Sequence, residues 1–268
     1  MIQTRMIEQW LSEDVGHHDV TNHVPGDTDG QLVAKEDGIV AGLNAAIAVF
    51  EYLDVTVDPV VDPGDRIGTG DVVLRVDGAA REILRGERVT VNLVGHASGV
   101  ATATRNAVDA ARNVTDEVRI AATRKTTPGL RSLEKRAVAV GGGDTHRLTL
   151  SHMVMVKDNH IQEMGLKDAI KHFLDRSSFS TKIEVEVENP DDAVTAADAG
   201  ADIVLLDNMD PAAVKQAVEL IPDTVLAEAS GGIRVADIPQ YATTGVDIIS
   251  LGELTHSASA IDYSFQTQ

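Results

Sequence analysis

Apolar positions near the start of the chain keep a helical period. Met6, Ile7, Trp10 and Leu11 fall on one face, which predicts a short docked helix. Gln31–Lys35 and Gly38–Gly42 predict two short strands with a turn between them, and a helix is expected over Leu43–Leu53. Val55–Val61 and Asp71–Val76 alternate on either side of the turn Asp62-Pro63-Gly64-Asp65. A long helical stretch runs from about Glu87 to Arg112. The first hundred residues therefore form a small β-rich layer with helices.

From Val118 onward the rhythm changes. Short apolar runs at Val118–Ala122, Met153–Val156, Lys182–Val187, Ala201–Leu206, Thr224–Glu228 and Val246–Leu251 alternate with amphipathic helical segments. The helices are Leu166–Asp175, Pro190–Ala199, Pro211–Leu220 and Val235–Thr243, with Asn189 and Asp210 placed before prolines as N-caps. Repeated strand–helix units with β-branched strands predict a parallel sheet. Six units allow a closed or nearly closed barrel, with a doubly wound open sheet as the alternative.

Polar residues gather at the C-terminal end of every run. Arg124 and Lys125 come after the first run, and Lys157-Asp158-Asn159-His160 after the second. The third carries Glu184, Glu186 and Glu188, and the fourth ends in Asp207-Asn208. Ser230-Gly231-Gly232 ends the fifth and Gly252-Glu253 the sixth. In a barrel these ends converge on one mouth, where active sites sit. The three glutamates alternate, so they share one face and need a cation or sugar hydroxyls to meet them. With Asp207 they form a carboxylate set suited to Mg2+ or ribose. The Ser-Gly-Gly turn, and the turn near Gly252, let backbone amides approach a phosphate. Arg124, Lys125, Arg147 and Lys157, with His146 beside them, call for a ligand with several negative charges. Met153, Met155 and Met164 are expected as core fillers.

Charge sharpens this picture. The chain carries a formal charge of -19, which disfavours nucleic acid and anionic membranes as partners. Yet Arg75 to Lys157 alone nets +6, against -25 for the remainder. A cationic island in an acidic protein suits a small anionic ligand. Lysine is scarce, 8 against 15 arginines, while acidic residues number 42, a balance expected of a salt-loving source. With no cysteine, disulfides, thiolate nucleophiles and Cys-based metal sites are excluded. No apolar run approaches the roughly 18 residues of a membrane span, and the first eleven residues lack the features of a signal peptide. A cytoplasmic location is the expectation.

The stretches Thr123–Arg131, Lys157–Ile161, Ile183–Glu188, Leu206–Met209 and Ala229–Ile233 resemble quinolinate phosphoribosyltransferases. Glu87-Arg88, Asn92-Leu93, Leu254–Ser257, Glu13–Gly16 and Asp19–Thr21 match as well, so the resemblance covers nearly the whole chain. It implies an N-terminal α+β sandwich-like domain (1–100, with a tail of about 256–268 packing on it) and a C-terminal TIM-like α/β barrel (101–255). It implies decarboxylating transfer of a phosphoribosyl group from phosphoribosyl pyrophosphate to quinolinate. The assembly implied is a homodimer or larger, with Arg88 reaching the partner's pocket. Arg124, Lys125, His146, Arg147 and Lys157 would hold quinolinate's carboxylates and the pyrophosphate. Glu186 and Asp207 would lie near ribose and Mg2+, and Ser230, Gly231, Gly232 and the backbone near Gly252 would cradle the 5'-phosphate. Lys125, Lys157, Glu186 and Asp207 are the candidate catalytic residues. Glu253 departs from the family's usual Ala beside that cradle. Rival functions are transfer to nicotinate without decarboxylation, a related role in molybdate metabolism, and a barrel that binds a phosphorylated ligand for regulation.

Overall fold

The computed structural model describes residues 2–267. They form two compact units: the chain up to Ala103 with Ser132–Gly141 and the segment from Ala258 onward, and Thr104–Arg131 with Gly142–Ser257. In chain order the first part carries α1 (Thr4–Val15), β1 (Asp27–Ala34), β2 (Gly38–Ile39), α2 (Leu43–Tyr52), β3 (Thr56–Pro59), β4 (Arg66–Ile67), β5 (Val72–Ala79) and α3 (Ala80–Arg112). Then come β6 (Arg119–Ala122), α4 (Arg131–Val140), β7 (Val154–Val156), α5 (Asp158–Met164), α6 (Leu166–Leu174), β8 (Ile183–Val187) and α7 (Pro190–Asp198). The chain ends with β9 (Ile203–Asp207), α8 (Pro211–Leu220), β10 (Leu226–Ser230), a 3-10 turn (Val235–Asp237), α9 (Ile238–Ala242), β11 (Ile248–Leu251), α10 (Glu253–His256) and β12 (Tyr263–Thr267).

The first unit is built on an antiparallel sheet of order β12-β1-β5-β3, with β2 and β4 as a separate pair. The apolar face of α1 is seated through Ile7 and Leu11, and α2 buries Leu43, Val49 and Phe50. Helix α3 starts at Ala80, seven residues before the expected start, because Ile83 continues its buried face and no loop separates the helix from the end of β5 at Ala79. The terminal segment lies against this helix. A Cβ on Gly95 would stand 2.8 Å from the Ile261 carbonyl, and Ile261 donates its backbone N–H to Gly95 O at 3.0 Å. Glycine is therefore required by close approach in a helix where it otherwise costs stability.

One segment expected in the barrel domain belongs to the first unit. Helix α4 buries Leu133, Ala137 and Val138, and its Glu134 meets His96 Nε2 at 2.9 Å. This helix is not among those expected from the sequence, and tertiary contacts decide what covers its apolar face.

The second unit holds a six-stranded sheet of order β6-β11-β10-β9-β8-β7, parallel throughout. That order is the chain order wound once, with β6 returned beside β11. It contains no reversal of the kind a doubly wound sheet needs, so the arrangement is a barrel opened between β6 and β7. Outward residues Val185, Val204, Leu206, Ala227 and Ile249 are buried, as are the facing Ala193, Ala196, Val214 and Ala217 of α7 and α8. Each large buried side chain contributes about 1.5–3 kcal/mol. The predicted caps form: Asn189 Oδ1 accepts from Asp192 N at 2.9 Å, and Asp210 Oδ1 from Ala213 N at 2.8 Å. No helix among the described residues is long and apolar enough to cross a membrane.

Candidate active site

Strand alternation dictates the barrel interior. Glu184 and Glu186 of β8, Leu205 and Asp207 of β9, and Glu228 and Ser230 of β10 occupy alternate positions, and register places Glu186, Leu205 and Glu228 level. Their upper members open into a cavity of about 390 Å³ at the C-terminal ends of the strands. Arg124, Lys125, His146, Arg147, Lys157, Glu186, Asp207, Ser230 and Gly231 all line it. Gly232 and Gly252 flank it without lining it. Arg88 lies on α3 in the first unit, its side chain 61% exposed and 3.9 Å from Glu87.

The cations are not alike. Lys157 Nζ pairs with Glu186 Oε2 and its side chain stays 42% exposed, open to a further anion. Arg147 is largely buried and reaches Met155 Sδ at 3.2 Å. Burial, and then the neighbouring Arg124 charge, push its guanidinium below the ordinary range, although it stays charged at neutral pH. The Nε atoms of Arg124 and Arg147 are buried with no hydrogen-bond partner among the described residues. Two adjacent guanidinium groups with unmet donors are a receptor for planar carboxylates. Met155, expected as core filler, thus lies on the cavity wall, because it steps into β7's inward face.

The glutamates also separate. Glu184 meets His146, Glu186 meets Lys157, and Glu188 is exposed. Asp207 is raised above the usual carboxylate range, first by burial and then by the Glu186 charge. Its Oδ2 accepts from Asn208 Nδ2 at 2.6 Å. Glu186 and Asp207 offer hard oxygen donors of the kind Mg2+ takes, and Asp207's unfavourable charge would be relieved by a cation.

His146 sits with φ 49, in the left-handed region, its backbone N–H held by Asp144 Oδ1 at 2.7 Å. Its Nε2 stands 2.9 Å from Glu228 Oε2 and 3.6 Å from Glu184 Oε2. Burial alone would lower its pKa. The adjoining carboxylates of Glu184 and Glu228 outweigh burial and raise it to about 10. His146 is thus joined to buried carboxylates rather than simply added to the cations.

The opposite wall is glycine-dependent. Gly231 has φ 94, and a Cβ there would lie 2.5 Å from Asn208 Oδ1. Ser230 Oγ donates to Ser250 O at 3.3 Å and accepts from Ser250 Oγ at 3.0 Å. Glu253 is occupied elsewhere: its Oε1 accepts the Val235 backbone N–H at 2.8 Å.

Glu228, Ser250 and Leu205 line the cavity without having been singled out from sequence. The parity used for Glu184, Glu186 and Glu188 would have found Glu228, two residues before Ser230.

A family model described as the N-terminal domain of quinolinate phosphoribosyl transferase matches residues 19–98, and one described as its C-terminal domain matches residues 100–266. A probable nicotinate-nucleotide pyrophosphorylase (carboxylating) of Methanothermobacter thermautotrophicus is 45% identical, covering 97% of this chain and 97% of its own. The human nicotinate-nucleotide pyrophosphorylase (carboxylating) is 38% identical over 97% of this chain and 90% of its own. The solved nicotinate-nucleotide pyrophosphorylase of Francisella tularensis superposes with a TM-score of 0.93 at 33% identity, over 99% of this chain and 95% of that one. With both halves matched in order, and the basic residues and carboxylates gathered at one barrel mouth, the chain belongs to the quinolinate phosphoribosyl transferase family.

Proposed function

We propose that this chain transfers the phosphoribosyl group of phosphoribosyl pyrophosphate to quinolinate, releasing pyrophosphate and carbon dioxide and yielding nicotinate mononucleotide for NAD synthesis. The observation that carries this reading is the pair of guanidinium groups of Arg124 and Arg147, each with a buried, unpartnered Nε, in the same cavity as Glu186 and Asp207. A dicarboxylate satisfies the first pair and a ribose the second.

Quinolinate's carboxylates are held by Arg124, Arg147 and His146, and its ring nitrogen is thereby fixed toward the sugar. Lys125 and Lys157 meet the pyrophosphate, and the Ser230–Gly231 turn the 5'-phosphate. The C1'–oxygen bond breaks with its electron pair leaving on pyrophosphate. Positive charge grows on the sugar ring, where Glu186 stabilises it. The pyridine nitrogen then donates its lone pair to C1'. The resulting ring charge draws in the electron pair of the bond to the 2-carboxylate, carbon dioxide departs, and the ring carbon takes a proton. No protein nucleophile is needed, so positioning and electrostatics carry the rate. Glu186 and Asp207 would hold Mg2+, which when bound neutralises pyrophosphate.

The same reading carries a homodimer or larger assembly in which exposed Arg88 reaches the partner's cavity, and a cytoplasmic location. The test compares acceptors. Purified protein with phosphoribosyl pyrophosphate and Mg2+ should form nicotinate mononucleotide from quinolinate and far more slowly from nicotinate. Preference for nicotinate would overturn it.

A further inference from the structure

At the cavity wall, two buried carboxylates converge on one imidazole. Glu184 comes from β8 and Glu228 from β10, on either side of β9, and both are fully buried. Glu184 Oε1 and Oε2 and Glu228 Oε1 have no hydrogen-bond partner among the described residues. Two carboxylates cannot both stay charged in a dry interior without a cation. The groups available are His146, between them, and Arg147, whose charge acts on Glu184.

We infer that Glu228, assisted by Glu184, is a positioning residue that holds His146 as a fixed cation on the cavity wall, facing a carboxylate of the pyridine substrate. This rests on the proposed acceptor being an anionic pyridine. Backbone and charge cooperate: the Asp144 anchor and the left-handed turn fix where the ring sits, and Glu228 fixes what it carries. With Nε2 committed to the glutamates, Nδ1 is left for the ligand. An imidazolium donates from both nitrogens, whereas a neutral ring could offer an acceptor instead. The device therefore favours a carboxylate over a neutral substituent, through a charge-assisted bond. The raised pKa of His146 agrees with this arrangement. The charged groups facing the ring are Glu184 and Glu228. Arg124, Lys125, Arg147, Lys157, Glu186 and Asp207 line the same cavity.

The test joins spectroscopy to kinetics. Nitrogen-15 spectra of the histidine rings in ligand-free wild-type protein should show His146 doubly protonated up to pH 9. Deprotonation near the ordinary value of about 6.5 would overturn the inference before any turnover is measured. In Glu228→Gln, the KM for quinolinate should match wild type near pH 6 and rise roughly 10- to 100-fold by pH 8.5, the loss expected for a charge-assisted hydrogen bond. Wild type should change far less over that interval, and the KM for phosphoribosyl pyrophosphate should hold steady. Glu184→Gln should move in the same direction by less. A KM ratio independent of pH would contradict the inference, as would a stoichiometric metal ion bound by His146, Glu184 and Glu228 in the purified protein. Wild-type turnover of quinolinate at pH 7 judges the proposed reaction separately, since the spectra need no substrate.

Discussion

Gly231 carries two demands that only glycine can meet together. Its φ of 94 lies where side chains are strained, and its Cα faces Asn208 at a distance that leaves no room for a Cβ. Gly231→Ala should lose about 1–3 kcal/mol of stability and weaken phosphoribosyl pyrophosphate binding, measurable by urea unfolding and by KM. Arg124→Ala leaves the Arg147 guanidinium without its partner in gripping a carboxylate, so quinolinate binding by calorimetry should vanish; near-normal turnover would remove Arg124 from that role. His146 has its own signature. Its pKa rises from 6.5 to about 10 on folding, so the stabilisation is complete below 6.5 and is lost as pH climbs through about 10. Unfolding free energy should fall between pH 7 and 10, with a shallower slope in Glu228→Gln. Residues marked by unusual chemistry, such as Arg124-Lys125 and Ser230-Gly231-Gly232, were visible in sequence. Glu228 was not, because it closes a run that reads as apolar, and its neighbour His146 lies 82 residues away.

Elements were legible where their boundaries are chemical. Asn189-Pro190 and Asp210-Pro211 announce helix starts, and both side chains make the expected cap bonds. Asn189→Ala and Asp210→Ala should each cost about 1 kcal/mol, seen as lower thermal midpoints with unchanged quinolinate KM. The start of α3 was hidden because β5 runs through Gly78 to Ala79 and the helix begins at the next residue, leaving no connecting loop to mark the boundary. The placement of α4 was hidden for a different reason. The pairing of Glu134 with His96, 38 residues away, is set by tertiary structure and leaves no local signal.

Taken as a whole, the molecule sets a local concentration of positive charge inside a strongly negative chain. The -19 formal charge repels itself at low ionic strength. Salt screens that repulsion, so the thermal midpoint should rise with added KCl, and a midpoint that falls would argue against a salt-adapted surface. The alternation of six apolar runs with helices made the parallel sheet legible, but not whether it closes. The opening between β6 and β7 depends on pairings that span the chain, with β6 bound to β11 far downstream. The barrel accomplishes convergence: groups scattered from Arg124 to Ser250 face one cavity. The most direct measurement tracks carbon dioxide from quinolinate labelled in its 2-carboxylate, with purified protein, phosphoribosyl pyrophosphate and Mg2+. Labelled carbon dioxide should appear in a one-to-one ratio with pyrophosphate and only when phosphoribosyl pyrophosphate is present. Pyrophosphate release without labelled carbon dioxide, or no reaction of quinolinate at all, would contradict the account.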